Sequence, residues 1–363
     1  MLFAMAFLSE HSSRERSGSL IWIFLGVLFV FVYLFLFPRG LGKDSFLVPV
    51  AAYPLGSAPA DAPVGQGFLY LLGDKEGALS PDGVPLFYRS AIAQTSISGR
   101  YSAWFDPTAD ITYVQDGHSL LFHKNGKAYP FWGRNRLYFI GDERMGLTEM
   151  DLKGNPLWST QLGSLLTSLD AGPHLTALGT LGGQVHIFGS SGKSLLSFAP
   201  GGSRFPVIYN VAISQDEKKV LVISGLEPKR FLVLEKGGGD FRPVFHQEIK
   251  DSRPYSTPLG FLQDDAWAYY TTPRNLTLLN LQNDRQTLVP FQGELRGITM
   301  NSSSLITAVT GYESSSLLHI WSTQGSSLLY APFQAKDVLL FQRGQLLILI
   351  ADQTVLVMKR SLE

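Results

Sequence analysis

The sequence predicts an all-β fold: a seven-bladed β-propeller, with eight blades as the alternative, preceded by one transmembrane helix. Three observations predict it. A proline followed directly, or one residue later, by a large aromatic recurs at Pro85-Leu86-Phe87, Pro130-Phe131, Pro156-Leu157-Trp158, Pro243-Val244-Phe245, Pro290-Phe291 and Pro332-Phe333, with a looser copy at Phe198-Ala199-Pro200. Most gaps between these prolines are about 42–47 residues, the period of a four-stranded blade. From residue 67 onward short β-type runs alternate with turn signals, and no amphipathic helix pattern interrupts them.

In chain order, residues 1–19 form a short N-terminal tail that turns polar toward its end. Leu20 to Phe37 then reads LIWIFLGVLFVFVYLFLF without a charge. At 1.5 Å per residue this apolar run spans roughly 27 Å, enough for a hydrocarbon core. It lacks the polar stripe of a buried soluble helix, so residues 20–38 read as a membrane helix. The nearest small-residue cleavage pattern after the run is Ala58-Pro59-Ala60, some 20 residues further on, which favours an uncleaved signal anchor. Arg14 and Arg16 balance Arg39 and Lys43 across the run. A short tail ahead of one span favours tail in and large domain out, on the periplasmic side of a bacterial inner membrane. Residues 39–66 hold Pro49, Pro54, Pro59 and Pro63 among glycines and small residues, and read as a linker.

Residues 67–363 read as the propeller. FLYLL at 68–72 leads into the turn Ser80-Pro81-Asp82-Gly83, and SLLFH precedes Asn125-Gly126, a strong hairpin turn. Later units repeat four short strands each, as in LTSL, HLTALGT, QVHIFG and SLLSF. We count about 29 strands, close to seven blades of four. The short Pro130 to Pro156 interval reads as an abbreviated blade. Three C-terminal strands (DVLLF, QLLILIA, TVLVMKR) are expected to complete the blade begun near residue 68. Proline cannot donate to a ladder, so the repeat belongs on outer edge strands, with its aromatic packing between blades.

Composition excludes several functions. Thirty Lys and Arg balance thirty Asp and Glu, so the basic excess of a nucleic-acid binder is missing. The chain has no cysteine, which removes disulfides, thiolate metal sites and cysteine nucleophiles.

DLKGNPLWSTQL at 151–162 resembles a unit of the pyrroloquinoline-quinone-type (PQQ-like) propellers. SQDEKKVLVIS at 214–224 and SISGRYSAWF at 96–105 resemble the turns of WD-repeat (WD40-like) and TolB-type propellers. The resemblance covers residues 67–360 and implies the fold. A neighbour within this group is the propeller subunit of the bacterial outer-membrane barrel-assembly machine, a periplasmic scaffold and a lipoprotein; this chain has no cysteine to lipidate. The quinoprotein dehydrogenases of the group often carry a vicinal cysteine pair, also missing here.

The candidate chemistry is sparse. Phe188-Gly189-Ser190-Ser191-Gly192-Lys193-Ser194 looks like a phosphate loop, but Ile187 stands where its first glycine belongs and a strand follows. His118 and His123 are five apart, which places them on opposite strand faces, and His174, His186, His246 and His319 have no spaced partners. The acidic pairs Asp216-Glu217 and Asp264-Asp265 sit in predicted turns, where solvation alone favours them. The sequons at Asn275 and Asn301 carry no argument. Tyr269-Tyr270, Trp104, Trp132, Trp267 and Trp321 read as packing between blades. No catalytic, cofactor-binding or metal residue is assigned, and no cofactor is expected. The sequence therefore favours a membrane-anchored, non-enzymatic scaffold for protein partners in the cell envelope, contacting the membrane through Leu20 to Phe37 and no nucleic acid. A propeller enzyme or small-ligand binder using the central funnel is the alternative; the sequence names no small-molecule ligand.

Overall fold

A computed structural model describes residues 22, 24–30, 32–33, 45–58, 63–92, 94–250 and 253–362. It divides into two units, Met1–Phe46 with Leu362–Glu363, and Leu47–Ser361. In the first, residues 24–30 and 32–33 are helical and exposed. The second is all β.

The strands form eight sheets. The first strand, β1 (Ser45–Pro54), is treated last because it closes the ring. Blade I holds β2 (Phe68–Leu72), β3 (Lys75–Leu79) and β4 (Pro85–Ser90). Blade II holds β5 (Ser96–Ser98), β6 (Tyr101–Asp106), β7 (Ile111–Asp116) and β8 (Ser119–Asn125). Blade III holds β9 (Ala128–Gly133), β10 (Arg136–Gly141), β11 (Gly146–Met150) and β12 (Pro156–Gln161). Blade IV holds β13 (Leu166–Ala171), β14 (Leu175–Thr180), β15 (Val185–Gly189) and β16 (Ser194–Phe198). Blade V holds β17 (Phe205–Ile213), β18 (Lys219–Leu226), β19 (Lys229–Gly237) and β20 (Asp240–Ile249). Blade VI holds β21 (Leu259–Leu262), β22 (Trp267–Thr271), β23 (Asn275–Asn280) and β24 (Gln286–Pro290). Blade VII holds β25 (Glu294–Met300), β26 (Leu305–Tyr312), β27 (Ser315–Ser322) and β28 (Ser327–Gln334). Blade VIII runs β29 (Val338–Arg343), β30 (Leu346–Ala351) and β31 (Thr354–Leu362), with β1 as its outermost strand. First strands of neighbouring blades pack on one another, as β13 on β17 and β25 on β29, so the first strand of each blade is innermost.

The core lies between blades, and each junction has its own cluster. Ile187, Val185 and Val220 join blades IV and V. Phe231, Ile223 and Tyr270 join V and VI. Between blades VIII and I, Ile348, Ile350, Val355 and Val357 pack with Tyr70, Leu72 and Leu79. That last cluster closes the ring at about 1.5–3 kcal/mol for each fully buried side chain. Polar side chains tie the inner strands together. Ser168 Oγ accepts from the Val211 N–H at 3.0 Å, Asp170 Oδ2 accepts from the Ile213 N–H at 2.6 Å, and Ser96 Oγ accepts from the Trp132 N–H at 2.8 Å.

The structure corrects the seven-blade expectation to eight. Pro130 lies in β9, the inner strand of the blade whose outer strand starts at Pro156. The short interval between them is therefore one complete blade. An inner strand is also a sheet edge, so proline is tolerated there for the same reason as outside. β8 is an outer strand without proline, which left blade II without its marker. The C-terminal strands form their own sheet with β1, and β1 comes from the stretch read as linker. Blade I keeps β2 to β4: FLYLLGDKEG there matches RLYFIGDERMG of β10–β11, which makes β2 a second strand. The shared tyrosines, Tyr70 and Tyr138, are both fully buried.

The membrane-helix expectation is not met either. Nine of residues 20–38 lie outside the described residues, and among the described residues no helix is long and apolar enough to cross a membrane.

Candidate functional site

Antiparallel blades put their first-to-second and third-to-fourth turns at one end of the channel. The second-to-third turns and the links between blades lie at the other. The two mouths differ in chemistry.

The first mouth encloses a polar cavity of ≈ 590 Å³, lined in part by Arg134, Asp170, Asp264, Asp265, Thr299 and Gln342. Three of its charged groups, Arg134, Asp170 and Asp265, bond to backbone. Arg134 donates through Nη2 to the Ile213 carbonyl at 2.9 Å and through Nη1 to the Ser214 carbonyl at 3.4 Å. Asp170 accepts from the N–H groups of Ile213 and Ala171, and burial pushes its carboxyl above the usual range. Asp265 Oδ2 accepts from the Asp216 N–H at 3.0 Å, and Thr299 Oγ1 donates to Gln342 Oε1 at 3.1 Å. Asp170, Asp265 and Thr299 thus join neighbouring blades, and Arg134 reaches from blade III across to blade V.

The second mouth gathers exposed apolar residues among charged ones such as Asp74, Asp142, Glu143 and Arg274. Ile92, Leu165, Leu181, Phe205, Tyr255 and Tyr312 are each between 42% and 71% exposed there, in interblade links and second-to-third turns or at the strand ends beside them. At the polar mouth the exposed large apolar residues are Val84 and Leu152. Part of the apolar set is contiguous across blades III to V. The Leu181 N–H donates to the Leu165 carbonyl at 2.8 Å, and the Leu166 N–H donates to the Arg144 carbonyl at 2.8 Å. Gly183 sits at φ +82°, where a Cβ would lie 2.5 Å from the Pro206 carbonyl oxygen. Glycine is thus required for this turn to abut Phe205-Pro206. Beside the patch opens a cavity of ≈ 370 Å³ lined by Tyr129, Phe131, Ile140, Leu166 and Leu169, with exposed Arg144 at its lip.

Residues singled out in the sequence are scattered. Gly189 to Ser194 is the β15–β16 hairpin, whose Gly192 lies against the Trp158 ring. His118 packs on Phe87 at 4.7 Å between ring centroids, and His123 projects from β8 near Tyr113 at 6.3 Å. His174 Nδ1 lies 2.9 Å from Glu217 Oε2. Burial raises the Glu217 carboxyl, but bonds from the His174 and Leu175 N–H groups outweigh it and hold it below the usual range. His319 is buried, 2.9 Å from Thr310 Oγ1 and stacked on Trp321 at 4.5 Å. Trp132 stacks on Tyr101 of the preceding blade at 5.0 Å, a packing role. Among the described residues no group of three His, Cys, Asp or Glu is placed to hold a metal. The apolar mouth was missed in the sequence, because its residues are isolated apolar members of turns and only the ring gathers them.

A closed ring of one three-stranded and seven four-stranded sheets around a channel defines a β-propeller. The chain matches the family described as beta-propeller protein over residues 15–360 and belongs to it. An uncharacterized protein of Treponema pallidum (strain Nichols) is 18% identical over 342 residues, which cover 91% of this chain and 90% of that protein. The crystal structure of BamB from Moraxella catarrhalis is similar with a TM-score of 0.61 at 12% identity, over 86% of this chain and 100% of BamB.

Proposed function

We propose that this propeller is a protein-interaction scaffold of the cell envelope, binding its partner through the apolar mouth at blades III to V. The observation that carries the reading is the one-sided placement of Leu165, Leu181, Phe205 and the adjoining apolar cavity. Each such side chain contributes about 1.5–3 kcal/mol when a partner covers it, so a few supply a usable affinity without a deep pocket. The opposite mouth uses its charged side chains to join blades, which gives a funnel enzyme little support. An envelope location is supported by the uncharged run from Leu20 to Phe37 and by the fold-level likeness to BamB.

The test is affinity isolation of the full chain from cells, beside a Leu165→Asp/Leu181→Asp variant. Both residues are exposed, so the variant keeps the parent melting temperature. A partner protein recovered in stoichiometric amount with the parent, and reduced at least about tenfold with the variant, is the expected outcome. Equal recovery by both, or no partner with either, contradicts the reading.

A further inference from the structure

The outer strand of each blade leaves one row of backbone N–H and C=O groups without a neighbour, a template for another chain. Six of the eight outer strands carry a proline: Pro85 in β4, Pro156 in β12, Pro243 in β20, Pro290 in β24, Pro332 in β28, and Pro49 and Pro54 in β1. β16 has none, but it is five residues long and β20 packs beside it. β8 also has none. It is seven residues long and ends its sheet.

The side chains of β8 are as open as its backbone. Ser119, Leu120, Leu121, His123, Lys124 and Asn125 are exposed, and Phe122 alone is partly covered, against Phe139 of blade III. Edge strands are commonly guarded by lysine, yet Lys124 leans away, with Nζ 5.4 Å from the Phe139 ring centroid. Its ammonium has no carboxylate partner among the described residues. The outward backbone groups follow from the register. The Gly126 N–H donates to the Asp110 carbonyl at 2.9 Å, and antiparallel bonds alternate from there. Lys124 and Phe122, opposite Thr112 and Val114, therefore face β7, while His123 and Asn125 present N–H and C=O outward. A bulge between Val114 and Gln115 interrupts the ladder before Leu120.

We propose that β8 is a docking edge, which accepts an extended segment of a partner protein as a fifth strand of blade II. The main-chain row supplies directional bonding, and the flanking side chains define the occupant. It offers apolar or β-branched residues to Leu120 and Leu121 and a carboxylate to Lys124. A second copy of the chain fits less well, because β8 itself holds no carboxylate to meet Lys124. The edge is separate from the apolar mouth, so either site stands if the other fails.

The experiment uses the full chain and a fluorescein-labelled peptide of alternating valine and threonine with one central glutamate, followed by fluorescence anisotropy. The parent binds it saturably. His123→Pro removes one outward N–H without touching the ladder to β7, and weakens binding at least tenfold at unchanged melting temperature. Lys124→Glu, a purely surface change, weakens it comparably and covers the case in which the proline variant does not fold. Alternate N-methylation of the peptide abolishes binding, whereas Leu165→Asp/Leu181→Asp leaves it intact. No saturable binding by the parent, parent-level binding by both β8 variants, or a β8-dependent dimer in sedimentation overturns the proposal.

Discussion

At the residue scale, buried polar groups in this ring hold blades together, and His319 gives the sharpest prediction. Burial lowers its pKa to about 4, against an unfolded value near 6.5. A depressed histidine keeps its full stabilising contribution above about pH 6.5 and loses it as the pH falls toward about 4, because the unfolded chain binds the proton first. The loss is on the order of 2–3 kcal/mol. Urea unfolding at pH 7 and pH 4.5 should show that loss in the parent and a flatter dependence in His319→Gln; equal slopes contradict the assignment. Sequence spacing could not show this role, since Thr310 meets the ring only through the β26–β27 pairing. Glu217 was legible as a turn carboxylate. Its reach into the next blade, to the His174 and Leu175 N–H groups, was not.

At the element scale, the sequence marks turns better than it marks strands. Ser80-Pro81-Asp82-Gly83 forms the β3–β4 turn as read, with Gly83 at φ +85°, whereas Asn125-Gly126, read as a hairpin turn, ends β8 and links blade II to blade III, with Gly126 at φ +91°. The strand carrying a proline was ambiguous, because both free edges of a blade accept proline. That ambiguity hid Pro130 on an inner strand and made β1, SFLVPVAAYP, look like linker. β1 is the outer strand of blade VIII, and Ala51, Tyr53 and fully buried Leu55 join the closing cluster. Replacing residues 45–54 with a glycine-serine segment of equal length should cost about 3 kcal/mol or more, since several buried contacts go together. A thermal or urea midpoint equal to the parent's would place closure elsewhere.

At the scale of the whole molecule, eight blades make a ring with two unlike mouths, one lined by polar groups bonded to one another, the other carrying most of the exposed large apolar residues of the turns and links. Only the fold class was legible in advance; the contrast between mouths needs residues from blades II to VII to be brought to one end. The central claim is that partners are met at the apolar mouth. Site-specific photo-crosslinking in living cells tests it most directly, with a photoreactive residue at position 181 or 205 and, as the comparison, at position 301 beside the polar cavity. The account predicts a discrete protein adduct from positions 181 and 205 and none from position 301. Adducts from position 301 alone would contradict it.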